Sequence, residues 1–347
     1  MKYRVLGKTG LSVSAFGVGA WQLGGPLLLD VKVDGHPDVG RDAAVGIMRA
    51  VFDLGVNLVD TAEQYGDGES ERRVGEAVKG RRDKVFISTK FGARRGSQGE
   101  RVNDASPGTI RTSLEGSLRR LGTDHVDIYL YHVPPKQVQH AEAFRILEDL
   151  KKEGKIRFHG ISINSVPVLK QFIALGNLDV LQYNHNLLHP QEDVLEILRA
   201  ENWGGLVRGA FAGGRLSGKY LDGKLDFHPD DVRRTAFEAA RIKSEDFTRV
   251  RPLLELVPEG WTLPLFALRY VLDFPETHTI LLGGKKISDY TDAFKALELP
   301  SISPELKKST AEFSERLLQP GCMGEQRAKR ATSPGCMGEQ RATNHAG

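Results

Sequence analysis

Residues 56–78 read VNLVDTAEQYGDGESERRVGEAV. The opening VNLVD is a short apolar, β-branched run that ends in turn-forming residues, and the closing ESERRVGEAV runs at helical period. A strand followed at once by a helix is the unit of a parallel sheet, because parallel neighbours need a crossover rather than a hairpin.

The same beat extends both ways from this stretch. Upstream, SAFGVGA (14–20) is followed by AAVGIMRAVFDLG (43–55). Downstream, KVFISTK (84–90) leads to SPGTIRTSLEGSLRRL (106–121), VDIYLYH (126–132) to AEAFRILEDLKKEG (141–154), and RFHGISI (157–163) to VPVLKQFIAL (166–175). LDVLQYN (178–184), GGLVRGA (204–210) and HTILLGG (278–284) continue it, with VLEILRAEN, LPLFALRYVLDF and SDYTDAFKALEL as helical partners, which makes eight units. Ser106 is expected to cap a helix that has Pro107 at its first position, and Gly154 to close another. No GxGxxG or GxxxxGK[ST] follows the first strand. The open doubly wound sheet, the rival architecture, therefore lacks its usual fingerprints. The expected fold is an α/β class (β/α)8 TIM barrel in a single domain over residues 1–317. A charged segment from Gly223 to about Arg251 is expected as an insertion before the seventh helix, forming a loop near the barrel mouth.

Composition excludes several function classes. Lys+Arg 48 against Asp+Glu 45 gives a formal charge of +3, with the basic residues scattered, so a nucleic-acid partner is not expected. The opening MKYRVLGKTGLSVSAFG lacks the apolar core of a signal peptide, and no run approaches the length of a membrane span; the expectation is a soluble cytoplasmic protein. The two cysteines, Cys322 and Cys336, fall in residues 318–347, where PGCMGEQRA occurs twice without apolar periodicity. That stretch reads as a disordered tail, and neither a disulfide nor a metal site is expected in the fold.

In such a barrel the chemistry sits at the C-terminal ends of the strands. Asp60 ends VNLVD, Tyr65 lies in the loop after it, Lys90 ends KVFISTK and His132 ends VDIYLYH. Apolar strands that deliver ionisable groups to one rim must pair them to offset desolvation. Together the four suit carbonyl reduction: a tyrosine hydroxyl gives the proton, a lysine beside it is expected to lower its pKa, Asp60 holds the lysine, and His132 orients the carbonyl.

These segments, with SLEGSLRRLGTDHVDIYLYH, GKIRFHGISIN and RLSGKY, resemble the aldo-keto reductase family from about Tyr3 to Leu317. The resemblance implies that Asp60, Tyr65, Lys90 and His132 are the catalytic tetrad and that an extended nicotinamide dinucleotide lies across the mouth. Ser162, Asn164 and Gln182 would meet the nicotinamide carboxamide, with Asn164 displaced by the intervening Ile163, and Arg208 would replace the usual aromatic on the ring. FAGGRLSGKY, with Gly213, Gly214, Leu216, Gly218 and Lys219, is similar to the pyrophosphate loop. Gly283, Lys285 and Asp289 correspond to the adenosine end, where Lys285, seconded by Lys286, would clamp a 2′-phosphate. The implied cofactor is NADPH, with NADH as the alternative. Trp21, Arg94 and Arg95, with Arg101 beside them, would shape the pocket for a small carbonyl or sugar, an acidic one if the arginines face it. Two other readings stay open: a dinucleotide-sensing regulatory subunit of the same fold, and a sugar or alcohol dehydrogenase working in the oxidative direction.

Overall fold

Eight parallel strands close in sequence order in the computed structural model, whose described residues are 1–318 apart from 135, 176 and 177. The strands are β1 (Phe16–Gly19), β2 (Leu58–Asp60), β3 (Phe86–Phe91), β4 (Val126–Tyr131), β5 (Ile156–Ser162), β6 (Val180–Asn184), β7 (Gly204–Arg208) and β8 (Thr279–Leu282). Helices α1 (Arg41–Asp53), α2 (Glu69–Val78), α3 (Pro107–Leu121), α4 (His140–Lys152), α5 (Val166–Leu175), α6 (Glu192–Glu201), α7 (Leu263–Leu272) and α8 (Ile287–Phe294) follow them one for one. The (β/α)8 expectation holds unit by unit. The duplicated segment with Cys322 and Cys336 lies outside the described residues. Among the described residues no helix is long and apolar enough to cross a membrane.

Side chains alternate between the lumen and the helix layer along each strand. The lumen is filled from below by Leu58, Ile128, Leu130, Val180, Leu206 and Leu281, and the N-terminal hairpin (Tyr3–Val5 with Ser12–Ser14) plugs the base with Leu6, Leu11 and Val13. Leu6 lies against the first residue of β7, where a Cβ on Gly204 would come within 2.5 Å of it. Two residues further along the same strand faces the lumen turns polar: Leu58 gives way to Asp60 and Val180 to Gln182. Register sets these ends side by side, since Asp60 pairs with Ser88 on β3 and Ser162 pairs with Gln182 on β6.

Two local expectations need correction. Helix α3 starts at Pro107, yet the Ser106 hydroxyl caps no amide of that helix. It bonds Asp104 instead, whose carboxylate also accepts the Ser106 N–H at 3.0 Å. The 223–251 insertion is not a plain loop: it holds helices Val232–Glu238 and Glu245–Thr248, and Val232 N–H donates to Gly35 O at 2.9 Å. It therefore reaches the segment between β1 and α1, which carries the small hairpin Leu28–Leu29 with Lys32–Val33.

Glycine positions test this packing. At Gly160 on β5 a Cβ would stand 1.8 Å from the Val180 carbonyl oxygen on β6, a contact that only backbone movement relieves. Gly46, exposed on α1, has nothing within 4 Å. Gly160→Ala should lose about 1–3 kcal/mol or more in urea unfolding. Gly46→Ala should gain about 0.5–1 kcal/mol, as alanine does in an open helical position. Equal small effects at both sites would contradict the close approach of β5 and β6.

Candidate active site

An ammonium carries three donors, and burying one is tolerable only when all three are met. The Lys90 side chain is fully buried at the end of β3, and its Nζ donates to Asp60 Oδ2 at 2.6 Å, to Thr61 O at 2.7 Å and to Tyr65 Oη at 3.1 Å. The other Asp60 oxygen accepts from Ser88 Oγ at 2.9 Å and from Gln182 Nε2 at 2.8 Å. Gln182 reaches across the lumen from β6 and itself accepts from Ser162 Oγ at 2.9 Å. Five residues of β2, β3, β5 and β6 (Asp60, Ser88, Lys90, Ser162 and Gln182) are thereby joined in one hydrogen-bonded chain. Because Tyr65 Oη accepts from Lys90, the phenolic proton stays available for another acceptor.

Burial alone would pull the Lys90 ammonium down, but Asp60 and then Tyr65 outweigh it, and its pKa lies above the ordinary value. For Tyr65 the sequence-based expectation was a lowered pKa. The structure gives the opposite net direction: burial raises the phenol, Lys90 offsets only part of that, and Asp60 adds to the rise. The pair rests as a neutral phenol beside a charged ammonium.

His132 follows β4 and is held by its own N–H, which donates to Phe91 O at 2.8 Å. Its ring stands edge-on to Tyr65, with centroids 5.7 Å apart. Burial, with help from Lys90, Arg208 and Arg101, drives its pKa well down, so the imidazole is neutral. Its Nδ1 is buried with no hydrogen-bond partner among the described residues. A proton there would be an unmet donor, so the favoured tautomer carries it on Nε2. Trp21 stacks on Tyr65 from the other side, 6.0 Å between centroids, and meets His36 edge-on at 4.8 Å.

Around this centre the other expected residues divide. Ser162 and Arg208 end β5 and β7, and Gln182 lies two residues before the end of β6. Asn164 is tied up: its Nδ2 donates to Asn184 O and its Oδ1 accepts from Asn184 N–H, each at 2.9 Å. Gly213, Gly214 and Gly218 all adopt left-handed backbone, and a Cβ on Gly213 would meet only the Arg215 guanidinium, 3.7 Å away. That leaves an open concave backbone of the kind that takes an anion. Leu216 is buried beneath it.

Lys285 is lowered by burial and by the nearby Arg233 and Lys219, with Asp231 and Asp289 acting in the opposite sense; Arg233 is paired with Asp231, which leaves Lys285 and Lys219 as the cations beside the loop. Asp289 accepts the backbone N–H groups of Lys285 at 2.8 Å and Lys286 at 3.2 Å, so its charge is turned onto the start of α8. Gly283 is covered by Gln22, whose side chain would overlap any Cβ there. A strand-end amide and hydroxyl, an open glycine backbone and a cationic flank fit a nicotinamide dinucleotide in donor type and order.

Of the expected pocket arginines, Arg101 is already committed within the protein. Arg94 and Arg95 lie on the hairpin Ala93–Arg95 with Arg101–Asn103; Arg101 is ion-paired with Asp34, which also accepts from Gln64 Nε2 at 3.1 Å, and Arg95 lies against Leu28 O at 3.4 Å. Sequence reading missed Ser88, although it sits two residues before Lys90 on the same strand face. It also missed the bridge over the mouth, in which Asp231 takes Arg233 through two bonds, at 2.9 and 2.7 Å, and faces His36 at 3.5 Å. The HPDD segment was its signal, but its partner lies some two hundred residues away.

Comparison with known proteins agrees with the geometry. The sequence pattern of the Aldo/keto reductase family matches residues 15–313. The aldo-keto reductase YhdN of Bacillus subtilis is 32% identical over 82% of this chain and 86% of its own. The NADH-specific methylglyoxal reductase of Escherichia coli is 30% identical over 91% and 100%. Among solved structures, the glycerol dehydrogenase AKR11B4 from Gluconobacter oxydans superposes with a TM-score of 0.75 at 28% identity, covering 92% of this chain and 96% of its own. The chain belongs to the Aldo/keto reductase family.

Proposed function

We propose that this protein reduces an aldehyde or ketone to an alcohol, using NADPH ahead of NADH, with Tyr65 as the proton donor. One observation carries the reading: Lys90 donates to Tyr65 Oη at 3.1 Å while Asp60 and Thr61 hold its other two protons, which leaves the phenolic proton free at the mouth. A reduced nicotinamide held by Ser162, Gln182 and Arg208 would supply the hydride to the carbonyl carbon. Tyr65 gives its proton to the oxygen as negative charge develops there, and Lys90, already bonded to the phenol oxygen, stabilises the phenolate that results. Neutral His132 donates from Nε2 to the same oxygen and orients it. Trp21 walls the pocket beside Tyr65.

A 30% identical relative is NADH-specific, so family membership does not choose the cofactor. Lys285 and Lys219, with Asp289 turned onto backbone amides and Asp231 already taken by Arg233, are what support a 2′-phosphate here. The same residues serve the reverse reaction by microscopic reversibility, and a structural neighbour is named a glycerol dehydrogenase. Oxidation of an alcohol is therefore the second reading, separated by assaying both directions.

For Tyr65→Phe, turnover on a carbonyl panel should fall roughly 100- to 10,000-fold while cofactor binding, followed by tryptophan quenching, barely changes. Lys90→Met should also lower turnover, and the double variant should lose little beyond the worse single one, because both act on one proton transfer. Near-normal turnover of Tyr65→Phe would falsify the donor assignment. Wild-type protein that binds dinucleotide but turns over no carbonyl or alcohol would instead favour the sensor reading.

Cofactor choice is tested at Lys285. Lys285→Ala should weaken NADPH by about 1–3 kcal/mol, the worth of one charge-assisted bond, and leave NADH nearly unchanged. Equal loss for both would show that this side chain does not read the phosphate.

A further inference from the structure

Glu63 lies two residues before Tyr65, is 8% exposed, and has no role in the chemistry above. Its backbone N–H donates to Lys90 O at 3.3 Å, and its Oε1 accepts from Gly92 N–H at 3.0 Å and from Ser113 Oγ at 3.4 Å. One residue thus ties the Tyr65 loop to the chain on both sides of Phe91. That joint matters twice over. Phe91 O receives the N–H of His132, and Gly92, at φ +93° and packed so that a Cβ would meet Ala105 at 2.8 Å, starts the hairpin that bears Arg101.

The charges facing this carboxyl do not neutralise it. From α2 comes Glu71, fully buried, which is bonded to Thr89 Oγ1 and to Arg120 Nε, each at 2.6 Å. From α3 come Ser113 and Arg120, the latter already taken by Glu71, and from β4 comes Tyr129, whose phenol Glu63 pushes further up. Two carboxyls share one guanidinium, and the one without a direct bond to it is Glu63. Burial raises Glu63 to about 7, with Glu71 adding to the rise and the Gly92 amide, Ser113 and Arg120 opposing it.

We propose that Glu63 is a positioning residue: as a carboxylate it clamps the Tyr65 loop to Gly92 and sets Tyr65 and His132 against Lys90, and on taking a proton from solvent it loosens that clamp and slows the reaction. The kinetic consequence rests on the proton-donor reading of Tyr65; the structural consequence does not. A charge-assisted bond to the Gly92 amide is roughly twice as strong as the neutral bond that replaces it on protonation. The sign follows: the grip is present above the carboxyl's midpoint and weakens as pH falls through it.

The test uses the full chain and Glu63→Gln, which keeps the shape and the acceptor oxygen but cannot titrate. In amide NMR spectra recorded across neutral pH, the Gly92, Tyr65 and His132 signals of the wild type should shift together with a midpoint near 7. In Glu63→Gln that common shift should vanish. With NADPH and para-nitrobenzaldehyde as the probe carbonyl, wild-type kcat should fall on the acid side with the same midpoint. Glu63→Gln, neutral at every pH, should lose that limb and run throughout near the reduced rate that the wild type shows on its acid side, with KM nearly unchanged. A Gly92 shift unaccompanied by Tyr65 and His132 would overturn the clamp even if the enzyme were active. So would an acid limb that survives in Glu63→Gln. If no carbonyl is turned over, the proton-donor reading fails, and the three amide signals still decide the clamp.

Discussion

The structure is organised around one buried ammonium. Lys90 has no water to solvate it, so the fold must supply three acceptors at fixed positions, and it finds them on β2 and the loop that leaves it. Asp60 in turn needs its own donors, which come from Ser88 on the neighbouring strand and Gln182 on the far wall. Removing Asp60 or Lys90 alone strands the other's charge in low dielectric, a loss of about 3–5 kcal/mol for a buried pair. Register, lumen shape and loop path are therefore held by electrostatics at the mouth as much as by packing below it.

Below that layer the same strand faces are apolar, and the change occurs within one step of two residues. Leu58 and Asp60 belong to one strand and one face, as do Val180 and Gln182. The lower layers, with the Leu6, Leu11 and Val13 plug, exclude water and make the mouth a low-dielectric floor. Charges seated on such a floor interact more strongly than on an ordinary surface. The apolar core thus contributes to the chemistry by the dielectric it imposes.

Local pattern was enough to read the barrel, since each strand-helix unit announces itself within about forty residues and the polar residues that break each apolar run lie at or just past its C-terminal end. Asp60, Lys90, Tyr65 and His132 were legible for that reason. What the sequence hid was pairing at long range. Gln182 meets Asp60 across 122 positions, and Val232 meets Gly35 across the mouth; neither partner is marked in its own neighbourhood. Side chains with several possible partners were equally opaque: Asn164 turns to Asn184, Arg101 to Asp34, Asp289 to two amides, and Ser106 to Asp104. In each case the residue type suited another partner, a ligand or, for Ser106, a helix amide, but a neighbour within the protein had already met the need.

The direction of the Tyr65 shift changes what Lys90 does on the proposed reading. A lysine that lowered the resting pKa would leave part of the tyrosine as phenolate, unable to donate. Burial instead keeps the phenol protonated, and Lys90 opposes that rise without cancelling it. Its benefit is then largest after the proton has left, when a full negative charge lies on Oη beside a charged donor. An interaction that strengthens as the reaction proceeds lowers the barrier rather than the ground state. The raised pKa of Lys90 keeps the ammonium charged throughout, so Asp60 acts by preserving that charge and holding it 3.1 Å from the phenol oxygen.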